Sequence, residues 1–415
     1  MRVRGGWRWV AAAVLVAGAA ACSDSPGSGF PGGSAATPSA PGATATGPGP
    51  APTGSITPPP AAVVRGAPPL PTGATVAAPK TIAGDCSVDV TDALASWIAS
   101  VPDNSTLVLG RNACYRVDGT ITVENRNRLL LDGNGATLKA VTTGNRTRGQ
   151  LNLKSGSDLT VRALVVRGAN PHAGASTAAY VADLEAQHAF SVHGVANALL
   201  DHVQAYDTYG DFVYIGPYDK TASTNVTVAN SVFERSGRQG VSIADARGVT
   251  ITANVIAGAA RSLFDIEPFL KSQTVRDVHV DGNVTGAAVN FWLGNKGAAA
   301  DIGAIEFSHN RMAAATGGLV LVFARRGDPR GPYTFSDNDL IANDAVSDEG
   351  AVGAFFFGRA DGITVRDNTV RFPAGHHMPA VELHAVHGAT VTGNRFDGAD
   401  RAIVADNLSS DIHGP

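Results

Sequence analysis

The stretch Gly237–Pro268, GRQGVSIADARGVTITANVIAGAARSLFDIEP, decides the fold. It contains three short apolar alternations, VSI, VTITANVI and FDI, separated by Gly, Ala and Asn. Alternation over four to six residues between turn formers reads as short strands. Working outward, the same unit recurs along most of the chain. Turn-forming or small residues stand in equivalent places at Asn134, Ala163, His202, Asn230, Asn254, Asn283, Asn310, Asn338, Asn368 and Asn394. Their spacing is mostly 24 to 30 residues, with one gap of 39 between Ala163 and His202. Several strands per repeat, without helices, predict a β-solenoid of about ten coils. Asn suits the bends because it tolerates the left-handed backbone region, and stacked Asn side chains can bond up a column.

Upstream, Asp89–Val101 predicts one amphipathic capping helix. Val90, Leu94, Trp97, Ile98 and Val101 share a face, Asp89 is a fair N-cap and Pro102 stops the helix. Strands follow at STLVLG (105–110), Cys114–Val117, GTITV (119–123) and RLLLDG (128–133). The opening DVTDALASWIASVPDNSTLVLGRNACYRVDGTITV, with repeats such as NVTVANSVF and GVTITANVI, resembles the pectate-lyase-like superfamily. The resemblance covers residues 83–410 and implies an all-β, right-handed parallel β-helix. It implies action on acidic or neutral polysaccharides as the function class.

The first 22 residues predict an export signal. Arg2 and Arg4 precede the apolar run Trp9–Ala21, which is too short for a comfortable membrane span. The ending GAAAC resembles the lipobox of bacterial lipoproteins, which implies that Cys22 is the lipidated N-terminus. That places the protein at the outer face of a bacterial cell membrane, or secreted, with a lipid anchor as its only membrane contact. Residues 23–80 are rich in Pro, Gly, Ala, Ser and Thr and predict a disordered tether spanning roughly 40 Å. Residues 81–415 would be the β-helix domain, a monomer. Cys86 and Cys114 remain as an even pair in an oxidising compartment, so either a disulfide or two unpaired thiols would fit.

The net charge of −4 becomes −7 without Arg2, Arg4 and Arg8 of the leader. A mildly acidic body gives no electrostatic case for nucleic acid. The superfamily usually carries its groove over one parallel sheet, here strands 189–194, 211–216, 240–245, 263–268, 290–295 and 319–325. With Phe190/Val192, Val213/Ile215, Val241/Ile243, Phe264/Ile266, Phe291/Leu293 and Leu321/Phe323 inside, alternation places the rest outside. One outward column reads Ser191, Tyr214, Ser242, Asp265, Trp292, Val322. The next reads His193, Gly216, Ala244, Glu267, Gly294, Ala324.

Asp265 and Glu267 then face the same way with Cα atoms roughly 6.5–7 Å apart, within the roughly 5–9.5 Å carboxylate separations of glycosidases. This predicts a glycoside hydrolase with a solvent-facing acid–base pair, and His193 as a further acid–base candidate. Tyr214 and Trp292 would be sugar platforms. Arg238, Arg325, Lys271 and Asp211 would contact substrate, the arginines by holding a carboxylate or sulfate. A lyase, or a non-catalytic glycan-binding β-helix on the same tether, are the alternatives. Outward carboxylates can equally be paired with Arg238 and Lys271. The polygalacturonase set NTD, DD, GHG and RIK is missing, as is the Asp-rich calcium cluster of pectate lyases. Calcium could use Asp265-x-Glu267, although two carboxylates are fewer than it usually takes. His376, His377, His384 and His387 lack firm metal-ligand spacing, so neither a metal nor another cofactor is expected.

Overall fold

The computed structural model describes residues 56–294, 301–313, 318–323, 330–342, 353–372, 374–375 and 378–415. Cys22, Arg325, His376 and His377 lie outside the described residues. Every ladder between the described strands is parallel, and strands inside the stack pair with the one a coil earlier and the one a coil later. In the opening stretch, Val241–Ile243 pairs with Val213–Gly216 on one side and with Val255–Ile266 on the other. The chain therefore winds as a parallel β-helix. Among the described residues no helix is long and apolar enough to cross a membrane.

The interior follows from the alternation. Phe190, Val213, Val241 and Phe264 stack rung upon rung, and Val192, Ile215, Ile243 and Ile266 form the next column, all buried. Phe212 and Phe233 stack at 5.6 Å, as do Phe307 and Phe335 at 5.4 Å. Each such side chain contributes about 1.5–3 kcal/mol on burial.

The bends use two positions where one was expected. Asn134, Ala163, His202 and Asn230 take positive φ, as the turn reading requires. From the next coil on, the left-handed residue is the one before the asparagine: Ala253, Gly282, His309, Asp337, Asp367 and Gly393. The freed asparagines face inward as a ladder. Nδ2 of Asn254 donates to Oδ1 of Asn283 at 3.0 Å, and the same bond repeats from Asn283 to Asn310 and from Asn310 to Asn338. Each amide also donates to a backbone carbonyl, such as that of Val228, so the buried column is satisfied.

The helix spans Thr91–Ser100 and buries Leu94, Trp97 and Ile98. Asp89 sits one residue ahead of the N-cap Val90, and its carboxylate accepts from the Thr91 amide and hydroxyl. The sheet also starts earlier than the expected boundary at residue 81. Thr75–Ala77 pairs with Thr106–Val108, and the Ala62 amide donates to Asn230 Oδ1 at 2.7 Å. The proline-rich segment after residue 56 thus lies along the β-helix instead of belonging to the tether.

Cys86 and Cys114 form a disulfide with Cα atoms 5.0 Å apart, joining strands on either side of the helix. It closes a 28-residue separation, and loss of such a link costs about 3–4 kcal/mol in the chain-entropy account. Denatured, unreduced protein should show no reaction of Cys86 or Cys114 with a maleimide. Two labelled thiols would contradict the bridge.

Candidate functional site

The 39-residue gap supplies the cover of the site. Between the strands Val165–Arg167 and Phe190–His193 the chain makes an excursion with short 3-10 turns at Thr177–Ala179 and Ala182–Leu184. It packs on the turns that precede the next two rungs. Asn170 Nδ2 donates to the carbonyls of Ala179 and Thr208, both at 3.2 Å. Gly237 is required by this approach, because a Cβ there would stand 2.5 Å from Asn170 Nδ2 and 3.0 Å from the Ala179 carbonyl oxygen.

Beneath the cover lies Arg238, on the turn between Val232–Ser236 and Val241–Ile243, its side chain 8% exposed. Each guanidinium nitrogen has a carboxylate. Nη1 donates to Asp211 at 2.8 and 3.0 Å, Nη2 to both oxygens of Glu267 at 2.9 Å, and Nε to Glu185 at 3.3 Å. A second chain of bonds runs alongside. Ser242 Oγ donates to Gln239 Oε1, and Gln239 Nε2 donates to Asp265 Oδ2. The Gln239 amide donates to Asp211.

Burial raises the Asp211 carboxyl above its ordinary value, against the attraction of Arg238. Burial also raises Glu267, again opposed by Arg238, and the neighbouring Asp211 charge adds to the rise. Burial alone would lower the Arg238 value, but Asp211, Glu267 and Asp265 hold it well above normal. Two buried carboxyls sharing one guanidinium is the arrangement that separates their protonation steps.

Tyr214 forms the neighbouring wall. Its ring stacks on His188 at 5.0 Å and meets His193 at 5.3 Å. His188 is pushed down to about 3 by burial and by Arg238. His193 is pushed down to about 4 by burial, with His188 and Lys154 adding to the fall. Both are therefore neutral near pH 7. A depressed histidine contributes stability above its unfolded value of 6.5 that is lost as pH falls toward the folded value. The stability difference between wild type and His193→Gln should shrink as pH falls from 6.5 to about 4, by up to about 1.4 kcal/mol per pH unit. Chemical denaturation across that range checks it. A flat difference would show that His193 titrates normally.

Several expectations need correction. Asp265 and Glu267 do flank inward Ile266, but Asp265 is 2% exposed rather than solvent-facing. The Glu267 side chain is 12% exposed. Asp265 is sealed beside Gln239, and Glu267 keeps a small solvent-facing edge beside Arg238. Asp211 is a wholly buried member of the ion cluster, not a surface contact. Trp292 is not beside Asp265. Its backbone pairs with Phe264, and Leu293 takes the place beside Asp265. A register shift between Ala259 and Ser262 precedes this pairing. In the next coil Val322, expected on the outward column, is buried instead. Lys271 is exposed on the turn after Glu267. Both Glu267 oxygens accept from Arg238, and Asp265 Oδ2 accepts from Gln239.

Sequence reasoning missed Glu185, Tyr180, His188 and Gln239. Glu185 accepts from the Tyr180 hydroxyl at 2.6 Å as well as from Arg238, and His188 Nδ1 accepts from the Asp211 amide at 3.0 Å. The gap of 39 residues was the available signal for three of them.

No family model and no curated relative matches the chain. Solved structures do. An endo-xylogalacturonan hydrolase from Aspergillus tubingensis aligns over 82% of this chain and 98% of its own, at 14% identity and a TM-score of 0.58. A hyperthermoactive exopolygalacturonase from Thermotoga maritima aligns over 84% and 94%, at 11% identity and 0.57. PfbA, a surface adhesin of Streptococcus pneumoniae, aligns over 81% and 91%, at 12% identity and 0.54. These likenesses, with the parallel ladders, establish the right-handed parallel β-helix fold.

Proposed function

We propose that this right-handed parallel β-helix is a glycan-active hydrolase working outside the cytoplasm, with the Arg238 cluster as its acid–base centre. The carrying observation is that Glu267 and Glu185, both reaching solvent, flank one guanidinium beside the Tyr214 ring. Glu267, with its raised value, would give a proton to the glycosidic oxygen as the C–O bond breaks. Glu185 would take the proton of the water that attacks the anomeric carbon. Asp265 becomes a positioning group that holds Gln239, and through it the Asp211 side of the cluster. The tilted pair of Tyr214 and His193 offers an apolar face to a sugar ring.

A lyase fits less well. It needs a cation on the substrate's carboxylate, and Arg238 is occupied by protein carboxylates. The complete pairing of Arg238 also favours a second reading, a binding module in which the cluster only braces the cover. Incubating the mature chain with a polysaccharide panel separates these. Hydrolysis gives new reducing ends without unsaturated ends, a lyase gives both, and a binding module gives retention with neither.

The same reading places the domain on a lipid anchor at Cys22. Cys22→Ala should move the protein out of the membrane fraction or leave its leader unprocessed. Unchanged partition and processing would remove the anchor from the account.

A further inference from the structure

The charge around the cluster bears on which glycans can enter. Glu185, Asp211, Asp265 and Glu267 surround Arg238. The next guanidinium, Arg261, lies 5.0 Å over the Tyr180 ring, on the covering excursion. On the far side of Tyr214, Lys154 pairs in register with both His193 and Glu124, and its ammonium stands 5.6 Å over the Tyr218 ring. Glu124 accepts from the Tyr218 hydroxyl. His188 and His193 add no charge near pH 7, because burial holds both down, to about 3 and about 4. With one carboxyl protonated, the acids Glu185, Asp211, Asp265, Glu267 and Glu124 still outnumber the cations Arg238, Arg261 and Lys154.

A uronic-acid polymer needs the opposite arrangement. Its carboxylate must find a guanidinium or ammonium with an unused edge. Every nitrogen of Arg238 already faces a protein carboxylate. A substrate carboxylate here would also sit close to Glu185 and Glu267, the members of the cluster that reach solvent. Repulsion from one charge at about 6 Å, in the dielectric of a protein surface, corresponds to about 100-fold in affinity. A hydroxyl or an ammonium on the sugar would instead find acceptors on the same two side chains.

We infer that the surface at Glu185 and Glu267, over Arg238, takes a glycan without carboxylates, neutral or amino-substituted, and rejects polyuronates. The inference rests on the glycan-active reading above. Tetrasaccharides test it without the long-range charge of a polymer. Xylotetraose, glucosamine tetramer and tetragalacturonate would be titrated calorimetrically into the full mature chain at 150 mM salt, with Glu185→Gln and Glu267→Gln as variants. The expected result is binding of the neutral or amino tetramer at least about 100-fold tighter than the uronate. Glu185→Gln should close most of that gap, and Glu267→Gln should close less of it because Glu267 is the carboxyl that carries the proton. Equal or tighter binding of tetragalacturonate overturns the inference and leaves the glycan reading standing. A preference unchanged in both variants also overturns it, since the ligand would then sit elsewhere. If no tetramer binds and no polymer is cut, the glycan reading falls and the inference with it.

Discussion

Arg238→Met should be the most destabilising single substitution in the site, lowering unfolding free energy by about 3–5 kcal/mol at neutral pH. The reason is asymmetry. Removing one partner of a buried ion pair strands the other, whereas the intact pair is close to neutral in its own contribution. Here one guanidinium serves Asp211, Glu267 and Glu185 together, and Asp211 has no exposure. Met fills a similar volume, so lost packing is a minor part. The deficit should also depend on pH. Asp211 and Glu267 already sit above their ordinary values. Without Arg238 they rise further. A carboxyl with a raised folded value contributes stability that is full below its unfolded value and is lost as pH rises through the folded one. The variant should therefore recover part of its deficit on acidification toward pH 5. Denaturant unfolding of both proteins at several pH values measures this. A loss below about 1 kcal/mol, unchanged with pH, would mean that the cluster is solvated in solution.

Glu267→Gln carries the second large effect. Turnover of the responsive glycan should fall at least about 100-fold, the lower end for losing a general acid. The amide can still accept from Arg238 Nη2, so stability should change by about 1–3 kcal/mol. Asp265→Asn keeps an acceptor for Gln239 Nε2 at a position sealed from solvent. Its turnover should therefore stay within about 10-fold of wild type. Initial rates at saturating substrate separate the two. Equal losses would restore Asp265 to a direct role, and an unaffected Glu267 variant would remove the acid from this position.

The β-helix was legible because its cause is local. Alternation at VSI, FDI and DFVYIG specifies inward columns with period 2, and the spacing of the bends specifies the coil. The neighbourhood of Asp265, Glu267, Arg238 and Tyr214 was legible because the rungs that carry them keep one register, Val213 with Val241 and Phe264. Two things were not legible. Phe291, Trp292 and Leu293 are apolar at successive positions, so alternation cannot choose their phase, and Trp292 was placed one residue out of step. The covering excursion has neither period. Nothing local in Tyr180, Glu185 or His188 says that the segment folds back onto Arg238, because that contact depends on the shape of the turns at Gly210 and Gly237. Exposure of the acid pair was misjudged for the same reason. Alternation reports which face of the sheet a side chain takes, not what later covers that face.

As an acid–base centre, Asp211 and Glu267 around Arg238 must hold a proton more tightly than ordinary carboxyls and be able to deliver it. Carboxyl carbon NMR of the unliganded protein, with Asp and Glu labelled and assigned through Asp211→Asn and Glu267→Gln, measures this directly. The account predicts that one resonance of the pair titrates clearly above the usual carboxylate range, in a step that disappears in one or both variants. Ionisation of both groups at or below ordinary values would contradict it, and would leave the cluster as a brace for the cover.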